Sequence, residues 1–129
     1  MIGYSTVGTN DIDRARAFYD ALLGLMGARQ IMVMPDERGF TLYGNGPGKP
    51  MFAVTGPYDG RPATAGNGSM VALAADSREQ VDALHARALE LGGADEGQPG
   101  LRGPAGDQTF YGAYFRDPDG NKLCAFKIG

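Results

Sequence analysis

A chain of 129 residues, with 43% apolar and 21% charged residues, fits one soluble globular domain that is large enough to bury a core. Its net charge of −3 gives no reason to expect nucleic acid as a partner, and no apolar run approaches the length that spans a bilayer. The single cysteine excludes an internal disulfide framework. Because the N-terminus also lacks the pattern of a signal peptide, we expect a cytoplasmic protein.

The first half of the chain predicts a β-α-β-β-β unit. A short strand over Gly3–Thr9 leads to Asn10, which we expect to cap a helix that ends at Gly27. Apolar residues recur along that helix at helical spacing: Ile12, Ala15, Tyr19, Leu22 and Met26. Three strand-like segments follow at residues 28–34, 39–43 and 51–55, separated by turn residues. We assign residues 1–56 to this first module.

Residues 57–68 are rich in glycine and proline and indicate a segment that crosses to a second module at 69–129. There a strand over 69–75 precedes a helix capped by Asp76 or Ser77, with Gln80 completing a capping box. Gly92 and Gly93 end this helix. We expect a short strand at 94–96, then a loop at 97–107 before the final hairpin.

The final hairpin, residues 110–126, is the most informative stretch. Pro118 and Gly120 suit the turn between its two strands, because proline fixes φ and glycine adopts the left-handed conformation. Strand alternation then places four residues on one face, with no carboxylate or histidine among them: Phe110, Tyr114, Cys124 and Phe126. We therefore expect this face to be apolar and to determine the chemistry of the protein.

The two halves also repeat each other at a constant offset of 66 residues. Tyr4 then aligns with Met70 and Thr6 with Ala72, while the helix caps, the apolar helix positions and the stops coincide without a gap. The predicted fold is α+β, with two tandem βαβββ modules. Together they would form an open, cup-shaped mixed sheet that carries its helices on the outside.

The chain resembles the glyoxalase / bleomycin resistance / extradiol dioxygenase family of the vicinal oxygen chelate superfamily. The resemblance covers essentially the whole chain and rests on four stretches: DIDRARAFYDALLGLMGA, YDGRPATAGNG, SREQVDALHARALELGGADEG and FRDPDGNKLCAF. It implies a cup between two modules, in which metal-using members bind a divalent ion that chelates two substrate oxygens. It also implies a homodimer, sometimes with cups shared between chains.

The resemblance places the metal ligands of the family at positions where this sequence carries other residues. Tyr4 and Met70 stand at the two histidine positions, Cys124 at the closing glutamate and Phe52 at a further ligand position. Relatives with a similar crossing segment carry histidines in the region of 103–108, where this chain has none. Since Mg, Mn, Ni and Fe(II) prefer carboxylate oxygen and imidazole nitrogen, we expect no metal and no other cofactor.

The remaining candidates have plainer interpretations. His85, the only histidine, is expected to face away from the cup in a structural or surface role. Tyr4 and Cys124 are weak catalytic candidates, because no base or positive neighbour that would activate the thiol is evident in the sequence. Three arginines are guesses for a basic rim: Arg61, Arg102 and Arg116.

These observations predict a protein that binds a small organic molecule in a metal-free apolar cavity. The expected lining residues are Tyr4, Thr6, Phe52, Met70, Ala72, Tyr114, Cys124 and Phe126. The alternative is an enzyme of the glyoxalase (lyase or isomerase) or dioxygenase type with an atypical active site. A structural or assembly role without a ligand is the third possibility.

Overall fold

The computed structural model describes residues 1–104 and 109–129, which form two four-stranded mixed sheets and two helices. Module one comprises β1 (Tyr4–Gly8), α1 (Ile12–Gly24), β2 (Arg29–Val33), β3 (Thr41–Gly44) and β4 (Met51–Thr55). Module two comprises β5 (Val71–Ala74), α2 (Arg78–Glu90), β6 (Ala94–Arg102), β7 (Phe110–Arg116) and β8 (Lys122–Ile128). The prediction of an α+β fold with two βαβββ modules is confirmed, and the helices are offset by 66 residues at both ends.

The two sheets have the same topology. Their strand orders are β1-β4-β3-β2 and β5-β8-β7-β6. In each sheet the first strand of the module pairs in parallel with its last strand, and the other pairs are antiparallel. Neither of the described helices has the length and apolarity needed to cross a membrane.

The helix starts follow the sequence pattern with one correction. α1 is capped by Asp11, whose carboxylate accepts from the Arg14 backbone N–H, whereas the expected cap Asn10 binds the crossing segment at Ala63. Thr9 explains the shift, because its hydroxyl accepts from the Asp11 N–H and fixes the chain one residue before the helix. In α2, Ser77 is the cap that accepts from the Gln80 backbone N–H, as expected.

The expected loop at 97–107 is wrong over its first part. The chain continues as β6 to Arg102 and pairs with β7, with register irregularities near Gly97 and between Gly97 and Gly100. Glycine and proline suggested a loop, but a bulged strand tolerates both at a sheet edge. The remainder of that loop, at 105–107, lies outside the described residues.

One hydrophobic core unites both modules. Helix residues such as Tyr19 and Leu84 pack against one face of each sheet, where Phe52 and Phe115 are buried. We call the opposite face of each sheet, which points away from the helices, its open face. Because successive side chains of a strand point to opposite faces, every second side chain of each strand lies on this open face.

The turn between β7 and β8 joins module two to the start of α1. Asp117 is buried and accepts from the Tyr19 hydroxyl at 2.6 Å. Asp119 accepts from Thr9 and from the Arg14 guanidinium, while the Asn121 amide donates to the Gly8 carbonyl. The DPDGN turn therefore holds the open face of module two in a fixed position relative to module one.

Two glycines provide a matched test of the packing where the chain leaves α2 and enters β6. A Cβ on Gly93 would lie 2.5 Å from the Arg116 carbonyl oxygen and 2.8 Å from the Ala88 carbonyl oxygen, and neither backbone atom is free to retreat. We therefore expect Gly93→Ala to lower the free energy of unfolding by about 2–3 kcal/mol in a urea titration. Gly24→Ala, in helix α1 with open space around the new methyl, should instead raise it by about 0.5–1 kcal/mol. Equal effects of the two substitutions would contradict this packing.

Candidate functional site

The described contacts divide the eight expected site residues into groups instead of gathering them in one cavity. Tyr114, Cys124 and Phe126 lie together on the open face of module two, beside Phe110. Ala72 pairs with Cys124 across β5 and β8 and so shares that face. These four expected residues form the best-defined part of the predicted site.

Tyr4 and Thr6 lie on the open face of module one. Tyr4 is half exposed and meets the Phe40 ring edge-on, with centroids 6.0 Å apart. Thr6 lines a groove with the crossing segment, where Tyr58 and Arg61 also lie. Arg61 thus lies beside Thr6, whereas Arg102 lies beside Tyr114, so the arginines proposed for the rim are near different members of the expected site.

The face assigned to Phe52 is wrong. β4 pairs with β1 in the register Tyr4 to Met51 and Ser5 to Phe52, so Phe52 is on the side opposite to Tyr4. Its ring packs against Tyr19 of α1 at 4.7 Å between centroids. A shift of one residue reverses every side chain of a strand, and Met51 occupies the face that we had assigned to Phe52.

Met70 precedes β5 and lies between the modules. It is 45% exposed and lines a groove of about 580 Å³ together with Ala72 and Phe52. The groove is lined on one side by module one, where α1 packs on its sheet, and on the other side by β5, an edge strand of module two. Met70 and Cys124 thus have different surroundings, although the family resemblance places a metal ligand at both positions.

The Cys124 thiol is buried on the open face of module two, directly across the β7–β8 pairing from Tyr114. Burial raises the pKa of Cys124, and the neighbouring Tyr114 hydroxyl and the charges of Arg102 and Lys122 act in the opposite direction without reversing the shift. Burial, followed by the neighbouring Cys124, raises the pKa of Tyr114. Both groups are therefore neutral near pH 7, and Cys124 is a poor nucleophile.

This arrangement predicts slow chemical modification of the thiol. At pH 8 the folded protein should react with iodoacetamide at least about tenfold more slowly than the same protein in urea, because burial limits both access and the thiolate fraction. Mass spectrometry of quenched samples measures the two rates. Equal rates in the two conditions would show that the thiol is exposed or activated.

Two cations lie over the Tyr114 ring. The Arg102 guanidinium carbon is 5.6 Å from the ring centroid, and the Lys122 nitrogen is 5.4 Å from it. Arg116, on the same open face, binds Glu96 at 2.7 Å. Sequence reasoning selected Arg102 and Arg116 but missed Lys122, although its alternation with Cys124 and Phe126 along β8 was a usable signal.

His85 has the structural role that was expected of it. It is buried on α2, with Nε2 at 2.9 Å from an Asp95 carboxylate oxygen and its ring edge against Phe115. The hydrogen bond to His85, followed by bonds from Gly97 and Gln98, lowers the pKa of Asp95. Since His85 is on the helix side of the sheet, it does not reach the open face.

The residues at the metal positions of the family do not fit a divalent metal. They offer a phenol, a thioether and a protonated thiol, whereas such ions prefer carboxylate and imidazole donors. Over residues 1–104 and 109–129, no three His, Cys, Asp or Glu side chains are grouped to hold an ion. We therefore derive no chemical step through a metal.

Comparison with known proteins identifies relatives of this chain. The family model described as Glyoxalase/Bleomycin resistance protein/Dioxygenase superfamily matches residues 1–125. A crystal structure of a glyoxalase/bleomycin resistance protein from Albidiferax ferrireducens is 42% identical, covers 98% of each chain and has a TM-score of 0.82.

More distant structures share the fold. A glyoxalase/bleomycin resistance protein/dioxygenase family enzyme from Burkholderia phytofirmans is 20% identical, with 98% of each chain covered and a TM-score of 0.71. An antibiotic binding protein from Streptomyces is 21% identical, with 100% of this chain and 96% of the other covered and a TM-score of 0.64. The comparison with curated proteins gave no match.

Proposed function

The chain belongs to the glyoxalase/bleomycin resistance protein/dioxygenase superfamily, and from that premise we propose that it binds a small organic molecule non-covalently and without a metal. The binding surface is the open face of module two, around Tyr114, Cys124 and Phe126. Binding of antibiotics by a distant relative of the same fold is compatible with this role.

The observation that carries the proposal is the state of Cys124. The position at which the family resemblance places a glutamate ligand holds a buried thiol whose pKa is raised by burial. Around it lie aromatic rings and a neutral tyrosine hydroxyl, which provide apolar contact and one polar group to orient a guest. Sites for small organic ligands have this composition.

The alternative, an enzyme of the glyoxalase or dioxygenase type, requires either an unrecognised metal arrangement or metal-free acid–base work by Tyr4 and Cys124 on one substrate. In a single chain these residues lie on different sheets, with Tyr4 against Phe40 and Cys124 against Tyr114. No specific observation favours this enzymatic alternative, and binding remains the proposal.

We further propose that the protein is a homodimer. The outer strand of module one, β2, is exposed along its whole length, and three consecutive side chains there are apolar and about half exposed: Ile31, Met32 and Val33. A second copy covering this strand would remove them from water. Analytical ultracentrifugation tests this proposal. We expect the wild type to sediment as a dimer and Met32→Glu to shift toward the monomer. A monomeric wild type would contradict the proposal.

The binding proposal is tested by native mass spectrometry of the purified protein against a metabolite and antibiotic library in the presence of EDTA. We expect at least one compound to bind the wild type and the Tyr58→Ala control, because Tyr58 is exposed on the crossing segment and is not part of the open face of module two. The same compound should be lost from Phe126→Ala. A library without any binder, or a binder retained by Phe126→Ala, would contradict the proposal.

A further inference from the structure

Glycines lie beneath the aromatic and cationic side chains on the open face of module two. A Cβ on Gly112 would overlap the Phe110 ring, and one on Gly97 would lie 3.0 Å from the Tyr114 ring. One on Gly100 would lie 3.1 Å from the Arg102 guanidinium. These side chains therefore extend across the sheet at positions where any larger residue would displace them.

Phe110 crosses Gly112 to reach Phe126 on the neighbouring strand. The two rings are parallel within 7°, with centroids 5.3 Å apart. Both residues are only partly buried, so the pair keeps ring surface in contact with solvent. A third flat ring placed on that surface would extend the stack, and such contacts are worth about 0.5–1.5 kcal/mol beyond the area they bury.

The charge beside this pair is positive. Arg102 and Lys122 both contact the Tyr114 ring, and neither forms an ion pair with a carboxylate in the described part of the chain. Glu96, whose pKa is lowered by Arg116 and to a smaller extent by Lys122, already accepts a hydrogen bond from Arg116. Counting only the residues that the structure describes, three cations thus face one carboxylate on this surface, in a protein whose net charge is −3. An anionic group is therefore the complementary partner.

From this combination we infer that the open face of module two binds a planar aromatic molecule that carries an anionic group. The aromatic part stacks on the Phe110–Phe126 pair, and the anionic group meets Arg102 and Lys122. This inference rests on the proposed function and specifies its ligand class. A cationic ligand would be repelled, and an aliphatic acid would lose the stacking contact.

Three probes of similar size separate the two parts of the inference. We would titrate the protein by calorimetry with naphthalene carboxylate, with the neutral naphthalene carboxamide and with the non-aromatic decalin carboxylate. We expect naphthalene carboxylate to bind at least about tenfold more tightly than either of the others, since each lacks one of the two contacts.

Variants locate the binding. Phe110→Leu and the double variant Arg102→Gln/Lys122→Gln should each weaken binding of naphthalene carboxylate about tenfold. The matched controls are Tyr58→Leu and the double variant Lys49→Gln/Arg87→Gln, which remove an aromatic ring and the same charge elsewhere. These controls should bind like the wild type. Thermal unfolding of every variant confirms that it is folded.

Equal affinity for the acid and the amide, equal affinity for the aromatic and aliphatic acids, or unchanged affinity in the variants would overturn the inference. Absence of binding by all three probes would overturn it as well. In each case a library compound of another chemical class that is lost from Phe126→Ala would leave the proposed function standing. Failure of the whole library to bind would overturn both.

Discussion

Replacing Asp117 with alanine is expected to lower the free energy of unfolding by about 3–5 kcal/mol. The buried carboxylate accepts from the Tyr19 hydroxyl at 2.6 Å. It also accepts at 2.9 Å from the backbone N–H groups of Asp119 and Asn121 and from the Asn121 amide. Alanine would leave these donors without their acceptor in a protein interior. Urea unfolding followed by circular dichroism measures the loss.

Two further variants show whether the loss comes from this network. Tyr19→Phe removes one donor and keeps the ring, and it should cost about 1–2 kcal/mol. Glu90→Ala removes an exposed carboxylate from α2 and should change the free energy of unfolding by less than about 0.5 kcal/mol. An Asp117→Ala protein as stable as Glu90→Ala would contradict the role of the DPDGN turn as the connection between the modules.

Replacing Cys124 with glutamate is expected to destabilise the protein by about 3–5 kcal/mol. The side chain at this position is 1% exposed and lies on the open face among Tyr114, Ala72 and Phe126. Glutamate is larger and charged, and no metal-binding histidines stand at positions 4 and 70 to share its charge through an ion. The variant should lose stability although it carries the residue that the family resemblance places there.

The control is Cys124→Ala, which removes the buried sulfur without adding a charge and should cost about 1–2 kcal/mol. Unfolding of both variants with and without Ni²⁺ completes the comparison. A Cys124→Glu protein as stable as the wild type would contradict the burial argument, and one that Ni²⁺ stabilises selectively would show that this position still belongs to a metal site.

The sequence pattern was sufficient for the fold because local signals agreed with each other. Ser77 with Gln80 indicated the start of α2, and Pro118 with Gly120 indicated the turn that the structure contains between β7 and β8. Alternation along β7 and β8 placed Tyr114 and Cys124 on one face correctly. In each case a few neighbouring residues determine the local backbone geometry.

The site was less predictable because it depends on register and on distant contacts. The face of Phe52 depends on how β4 aligns with β1, which a short apolar strand does not specify by itself. The approach of Arg102 to Tyr114 depends on the bulged pairing of β6 with β7, where sequence suggested a loop. The contacts of Phe110 and Tyr114 with the glycines beneath them could not be predicted, because they depend on how the strands pair.

The central claim is that this chain keeps the fold of its family and uses the position of the last metal ligand for a neutral thiol in a metal-free binding face. Elemental analysis of protein purified without chelators tests this most directly, with thermal unfolding in added Ni²⁺, Mn²⁺, Fe²⁺ and Zn²⁺ as its companion. We predict far less than one metal atom per chain and no stabilisation by any of the four ions. One bound metal per chain, or a clear stabilisation by one of these ions, would contradict the account.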